Sequence, residues 1–174
     1  KKIFKVKNIF SFLLEVAKYK RKLFLGNVIG ITGSIGKTSV KENLHFFLKN
    51  KFKVSVSIKS YNNYLGVLIS LININLKSNF AIFEIGTNNF NEIKKLTSLI
   101  QPSQAIITNI YPTHLEKLLS TRNIAIEKSD IFKKKYNPNI DLVILPNDNI
   151  DEKYLVNEAK KENINNVLSF GQSK

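Results

Sequence analysis

The stretch Gly26 to Leu44 reads GNVIGITGSIGKTSVKENL. An apolar run enters a turn holding two glycines, a lysine and a hydroxyl, and leaves as an amphipathic helix. Gly33 and Gly36 allow a turn whose backbone N–H groups point inward. Those groups and the following helix N-terminus form a cradle for anions. There Lys37 reaches the β- and γ-phosphates of a nucleotide, Thr38 offers its hydroxyl to Mg2+, and Ser39 touches the α-phosphate. Thr32, Gly33, Ser34, Ile35 and Gly36 complete the loop. A strict phosphate-loop pattern wants Gly five residues before Gly36. Ile31 stands there, so the strand-before, helix-after context carries the assignment. The competing reading is an ordinary strand-to-helix turn.

Three more side chains draw notice. Glu84 closes the run AIFE, and a carboxylate on a buried strand is costly unless paired or metal-bound. A Mg2+ ligand is the natural role, with a structural ion pair or helix cap as the alternative. His114, in NIYPTHLE, falls in a loop after a strand and is either structural or functional. Lys128 lies four residues after Ile124, in the middle of the face formed by Ile124, Ala125, Ile131 and Phe132. An inward lysine must be paired, deprotonated or modified; otherwise it snorkels to the surface. His45 shares a helix face with Lys41 and Lys49, which reads as solvated.

The elements that position these groups alternate. Helices are expected over 8–22, 38–49, 63–74, 90–100, 121–135 and 151–162. Strands are expected over 27–32, 52–57, 80–86, 104–109, 141–146 and 166–170. Val40, Leu44, Phe47 and Leu48 mark the apolar face of the second helix. Repeated β-α units with continuous apolar strands mean an α/β fold, a mostly parallel sheet with helices on both faces. In such sheets ligands bind beyond the carboxyl ends of the strands. Thr32, Glu84, Thr108-Asn109 and Asn147-Asp148 all fall there.

The 174 residues allow one domain, and the absence of Cys excludes disulfides and thiolate metal sites. The net charge of +14 is spread over scattered lysines without an aromatic platform, which argues against nucleic acid as partner. No apolar run is long enough to span a bilayer, so stable membrane insertion is not expected. The basic, apolar opening is interrupted by Lys5, Lys7 and Glu15 and lacks a cleavage site, so it reads as an amphipathic helix. A cytoplasmic monomer is the expectation. The chain opens on Lys, as a piece of a longer protein would.

Four ordered stretches, ITGSIGKTSVKE, KSYNNYLGV, AIFEIGTNNFNEIKKLTSLIQPSQAIITNI and THLEKLLSTRNIAIEKSDIF, resemble the central ATP-binding domain of the Mur ligases, from about Val28 to Gly171. The resemblance implies an ATP-dependent ligase that joins a UDP-muramoyl peptide to D-alanyl-D-alanine through an acyl phosphate, in peptidoglycan precursor synthesis. It implies that Lys37 and Thr38 hold ATP and a first Mg2+, with Glu84 a ligand near the γ-phosphate. His114 would bind a second Mg2+, helped by a carbamate on Lys128. Asn62 and Asn63 would lie near the phosphates or the incoming substrate, and Asn109 beside the nucleotide. Leu68, Asn91 and Thr113 depart from the family's usual Pro, Gly and small residue. On this reading residues 1–26 are an N-terminal helix or linker and 27–174 part of the central domain. The N-terminal UDP-substrate domain and the C-terminal domain are missing, so the piece is not expected to ligate alone. Rival readings are another Mur-type ligase, folylpolyglutamate synthase, or a nucleotide-binding module without ligase activity.

Overall fold

The computed structural model describes residues 3, 5–57 and 61–171. Lys59 and Ser60, which open the second resembling stretch, lie outside the described residues. Thirteen elements follow in order: α1 (Ile9–Leu23), β1 (Asn27–Thr32), α2 (Lys37–Leu48), β2 (Val54–Val56), α3 (Tyr64–Ile72), β3 (Phe80–Glu84), α4 (Glu92–Ile100), β4 (Gln104–Ile107), α5 (Leu115–Leu118), α6 (Thr121–Ser129), β5 (Leu142–Pro146), α7 (Ile150–Lys161) and β6 (Asn166–Phe170).

The strands form one six-stranded sheet in the order β2-β3-β1-β4-β5-β6, with every pairing parallel. Each parallel pair needs a crossover, and the helices supply it. Alternation along the strands splits the core in two. Val28, Ala81, Phe83, Ala105, Ile107, Val143 and Leu145 pack with residues of α1, α3, α4, α6 and α7. Ile29, Ile31 and Ile82 face the other way, against Val40, Leu44 and Leu48 of α2. Helices therefore cover both faces, but unevenly, with α2 alone on the second. Ala17 and Phe24, in and just after α1, belong to the larger core.

Register sets the site. Ile31 pairs with Glu84 and Thr32 with Ile107, so β1, β3 and β4 end level. Ile85 N–H donates to the Ile31 carbonyl (2.8 Å) and Thr108 N–H to the Thr32 carbonyl (2.9 Å), which extends the alignment one step beyond the strands.

Several boundaries differ from the sequence reading. The helix expected over 121–135 stops at Ser129. Asn137 lies before a proline, a position biased against helix, and its Nδ2 donates to the carbonyls of Ile131 (3.2 Å) and Pro102 (2.8 Å). A short helix, α5, was not expected. Phe47 is 69% exposed, so it does not share the buried face of α2. The face assigned to Lys41, His45 and Lys49 is solvated only at Lys49: Lys41 is wholly buried and His45 is half-buried.

Candidate functional site

The loop between β1 and α2 is built for an anion. Gly33 has φ +145° and Gly36 φ +84°, values that L side chains rarely adopt. A Cβ at Gly33 would sit 1.9 Å from Thr108 Oγ1. The loop is pinned from the end of β4. Asn109 Oδ1 accepts from Ile35 N–H (2.9 Å), while Asn109 Nδ2 (3.0 Å) and Thr108 Oγ1 (2.6 Å) donate to the Ile35 carbonyl. Ser34 Oγ donates to the Tyr111 carbonyl (3.0 Å) and accepts from Tyr111 N–H (2.9 Å). Gly36, as N-cap of α2, offers no side-chain acceptor. The backbone N–H groups of Gly36, Lys37, Thr38 and Ser39 have no hydrogen-bond partner among the described residues. Four unpartnered donors at a helix N-terminus fit a phosphate chain. Lys37 Nζ folds over the loop, donating to the carbonyls of Gly33 (2.9 Å) and Ser34 (3.3 Å).

Behind this loop Glu84 is 1% exposed and fully engaged. Thr38 Oγ1 donates to its Oε2 and Asn62 Nδ2 to its Oε1, each at 2.8 Å. Lys41 Nζ stands 3.8 Å from Oε2. A hydroxyl and a carboxylate that meet at the cradle are hard oxygen donors suited to Mg2+. Asn63 instead caps α3, accepting from Gly66 N–H (2.9 Å). A Cβ at Gly86 would meet the Asn62 side chain at 2.7 Å, so that glycine lets the asparagine reach Glu84.

A cleft of about 1280 Å³ opens beside the loop, with Lys37, Asn62, Asn63, Gly86, Thr87 and His114 on its wall. It runs on to Lys94 and Lys95 of α4 and to Lys18 and Arg21 of α1. His114 is exposed and left-handed, with φ 55°. Lys128 is 3% exposed, and its ammonium makes no hydrogen bond or ion pair among the described residues. Burial, and then the charge of Lys37, lower its pKa to about 7, against the opposing pull of Glu127. The charge of Lys37 thus acts on Lys128, which does not itself line the cleft. Burial also lowers the pKa of Lys37, opposed by Glu84. Among the described residues no three His, Cys, Asp or Glu side chains gather as a metal cluster; the candidate donors include a hydroxyl and a lysine instead.

Two groups escaped the sequence reading. Lys41 falls on a face whose sequence reads as solvated, although it follows Thr38 by three residues and so lies beside it on the helix. Glu127 is buried and accepts from Asn91 N–H (2.7 Å) and Ile93 N–H (2.9 Å), capping α4 from a different helix. Nothing in the local pattern signals that contact. Asn147 and Asp148 do not line the cleft. Asp148 N–H goes to Glu152 Oε2 (2.9 Å), beside the capping box of α7.

A phosphate-binding loop at the carboxyl edge of a parallel sheet defines the class: an α/β domain of the nucleotide-binding type. The model of the Mur ligase middle domain matches residues 31–174. The UDP-N-acetylmuramoyl-tripeptide–D-alanyl-D-alanine ligase of Rickettsia prowazekii is 40% identical over 172 residues, 99% of this chain and 38% of its own length. Among solved structures, MurF from Acinetobacter baumannii superposes with TM-score 0.85 at 27% identity, over 98% of this chain and 38% of that one. MurF ligase from Thermotoga maritima, in complex with ADP, gives 0.83 at 27%, over 100% and 40%. The chain belongs to the Mur ligase family. It spans well under half the length of these relatives.

Proposed function

We propose that this chain is the nucleotide- and metal-binding part of an ATP-dependent carboxylate–amine ligase, one that adds D-alanyl-D-alanine to a UDP-muramoyl tripeptide. The relatives bearing that name support the substrate pair. The single observation that carries the ATP reading is the meeting of Thr38, Glu84 and Asn62 at a loop whose four N–H donors are unpartnered.

In this reading the cradle N–H groups and Lys37 bind the triphosphate and hold the γ-phosphate for in-line transfer. Thr38 and Glu84 would hold a first Mg2+. His114 and a carbamate on Lys128 would hold a second. Such ions neutralise charge on the transferring phosphoryl group. The substrate carboxylate attacks the γ-phosphorus, giving an acyl phosphate and ADP. The amine of D-alanyl-D-alanine then attacks the acyl carbon, loses a proton and expels phosphate. Lys128 suits carbamylation because only the neutral amine attacks CO2, and a pKa of about 7 leaves much of it neutral in mildly basic solution. Asn62 keeps Glu84 oriented, and Asn63 sets the start of α3 at the cleft wall.

The test is ADP release by the full-length protein, with and without each substrate. Lys37→Met is expected to lower kcat by about 10²-fold or more, as loss of a preorganised charge does, while the melting temperature stays close to the parent's. ADP release that ignores the muramoyl peptide would overturn the ligase reading.

A further inference from the structure

Lys41 has no part in the reaction just described, yet it is wholly buried and aimed at the atom the metal would use. It lies one helical turn beyond Thr38. Its Nζ is 3.8 Å from Glu84 Oε2, the same oxygen that accepts from Thr38 Oγ1. It also donates to the Ser57 carbonyl (3.3 Å) and stands 3.3 Å from Glu42 Oε1. Glu42 is solvent-exposed, with 56% of its side chain accessible, so water screens that pair. The pair with Glu84 is screened on neither side, since the carboxylate is 1% exposed. Ser57 closes a ring of contacts, its Oγ accepting from Glu84 N–H (3.3 Å). Lys41 thus ties the second turn of α2 to the end of β2 and, through Glu84, to the end of β3.

A buried carboxylate is stable only if something balances its charge. Thr38 and Asn62 supply neutral donors; Lys41 is the cation in ion-pair contact with Glu84 among the described residues, and Lys37 acts on it from farther off. A divalent cation at Thr38 and Glu84 would sit close to that same ammonium, and like charges a few ångströms apart in a dry site repel strongly. We infer that Lys41 is the standing counter-ion of Glu84: it balances the buried carboxylate when no divalent cation is bound and opposes the cation when one is, setting how loosely the site holds its metal. The inference rests on the reading of Glu84 as a metal ligand. It gives the site a means to let its metal leave with spent nucleotide.

The experiment uses the full-length protein with Mn2+ as probe in the presence of ADP, free Mn2+ being counted by electron paramagnetic resonance. Lys41→Met should bind Mn2+ about tenfold more tightly than the parent, or better. Its melting temperature should fall in chelator and regain more than the parent's does on adding Mn2+ and ADP. A residue that merely braced the fold would weaken both states alike, so unchanged or weaker Mn2+ affinity overturns the inference. The double variant Lys41→Met/Glu84→Gln removes both charges. It should recover at least half of the melting temperature lost by Lys41→Met in chelator, and no recovery overturns the inference even if Lys41→Met alone does not fold. Glu84→Gln separates the two readings. If it binds Mn2+ as well as the parent, the ligand role of Glu84 and the inference fall together. If it binds poorly while Lys41→Met matches the parent, the inference alone falls.

Discussion

Lys128 makes the burial of the site measurable as a dependence of stability on pH. Its ammonium titrates at about 7 in the fold, against 10.5 for a free lysine, because burial and the charge of Lys37 disfavour the protonated form. Between those two values the unfolded chain binds more protons than the folded one, so stability rises with pH across that window and is lowest below about 7. The full difference corresponds to at most about 5 kcal/mol at 1.4 kcal/mol per pH unit, and relaxation and water entry return part of it. Lys128→Met removes the ionisable group and keeps a similar volume. It should exceed the parent in stability by about 2–4 kcal/mol at about pH 6, and that advantage should shrink as pH approaches 10. Urea unfolding across that range, in buffer free of CO2 so that no carbamate forms, measures it. Curves for parent and variant that run parallel would refute the reasoning, because a constant offset reports packing and not a suppressed charge.

Gly33→Ala should cost about 2–4 kcal/mol, combining backbone strain with displacement of the Thr108 hydroxyl, since the new Cβ falls 1.9 Å from Thr108 Oγ1; thermal unfolding checks it, and a loss below about 1 kcal/mol would contradict it. Glu127→Gln should cost about 1–2 kcal/mol, because Asn91 and Ile93 N–H groups lose a charged acceptor at the start of α4. It should also move the Lys128 transition to lower pH, since Glu127 is the charge that holds it up; the same urea series reads both. Asn109→Ala frees the Ile35 N–H and loosens the loop, so fluorescent-ADP affinity should fall about tenfold for the loss of about 1.4 kcal/mol of preorganisation.

How much was legible depended on how local the cause was. β1 was readable to the residue, because a short apolar run bounded by Asn27 and Thr32 leaves little choice; the bounds of β6 also match, on a weaker pattern interrupted by Ser169. The glycine loop was readable because the positive φ at Gly33 and Gly36 demands that residue type. The end of α6 was not: beyond it Asn137 binds the carbonyls of Ile131 and Pro102, contacts that only the folded chain brings together. β4 ends at Ile107 because Thr108 and Asn109 turn to bind the phosphate loop. The burial of Lys41 is not legible, because a lysine among exposed neighbours looks solvated until its partner on β3 is known. The role of Glu127 depends on the docking of α4 against α6, which no short pattern announces. Helices on both faces were expected, but their distribution follows from strand order: only the β1-to-β2 crossover runs toward the β2 edge, so α2 stands alone on its face.

The central claim is that the cradle, Glu84, His114 and Lys128 serve one nucleotide–metal site. A crystal structure of the full-length protein with a non-hydrolysable ATP analogue and Mg2+ tests it most directly. The account predicts the γ-phosphate against Lys37, one ion on Thr38 and Glu84, and residues 114 and 128 turned toward a second. Ions bound elsewhere, or a Lys128 side chain turned out to bulk water, would contradict it.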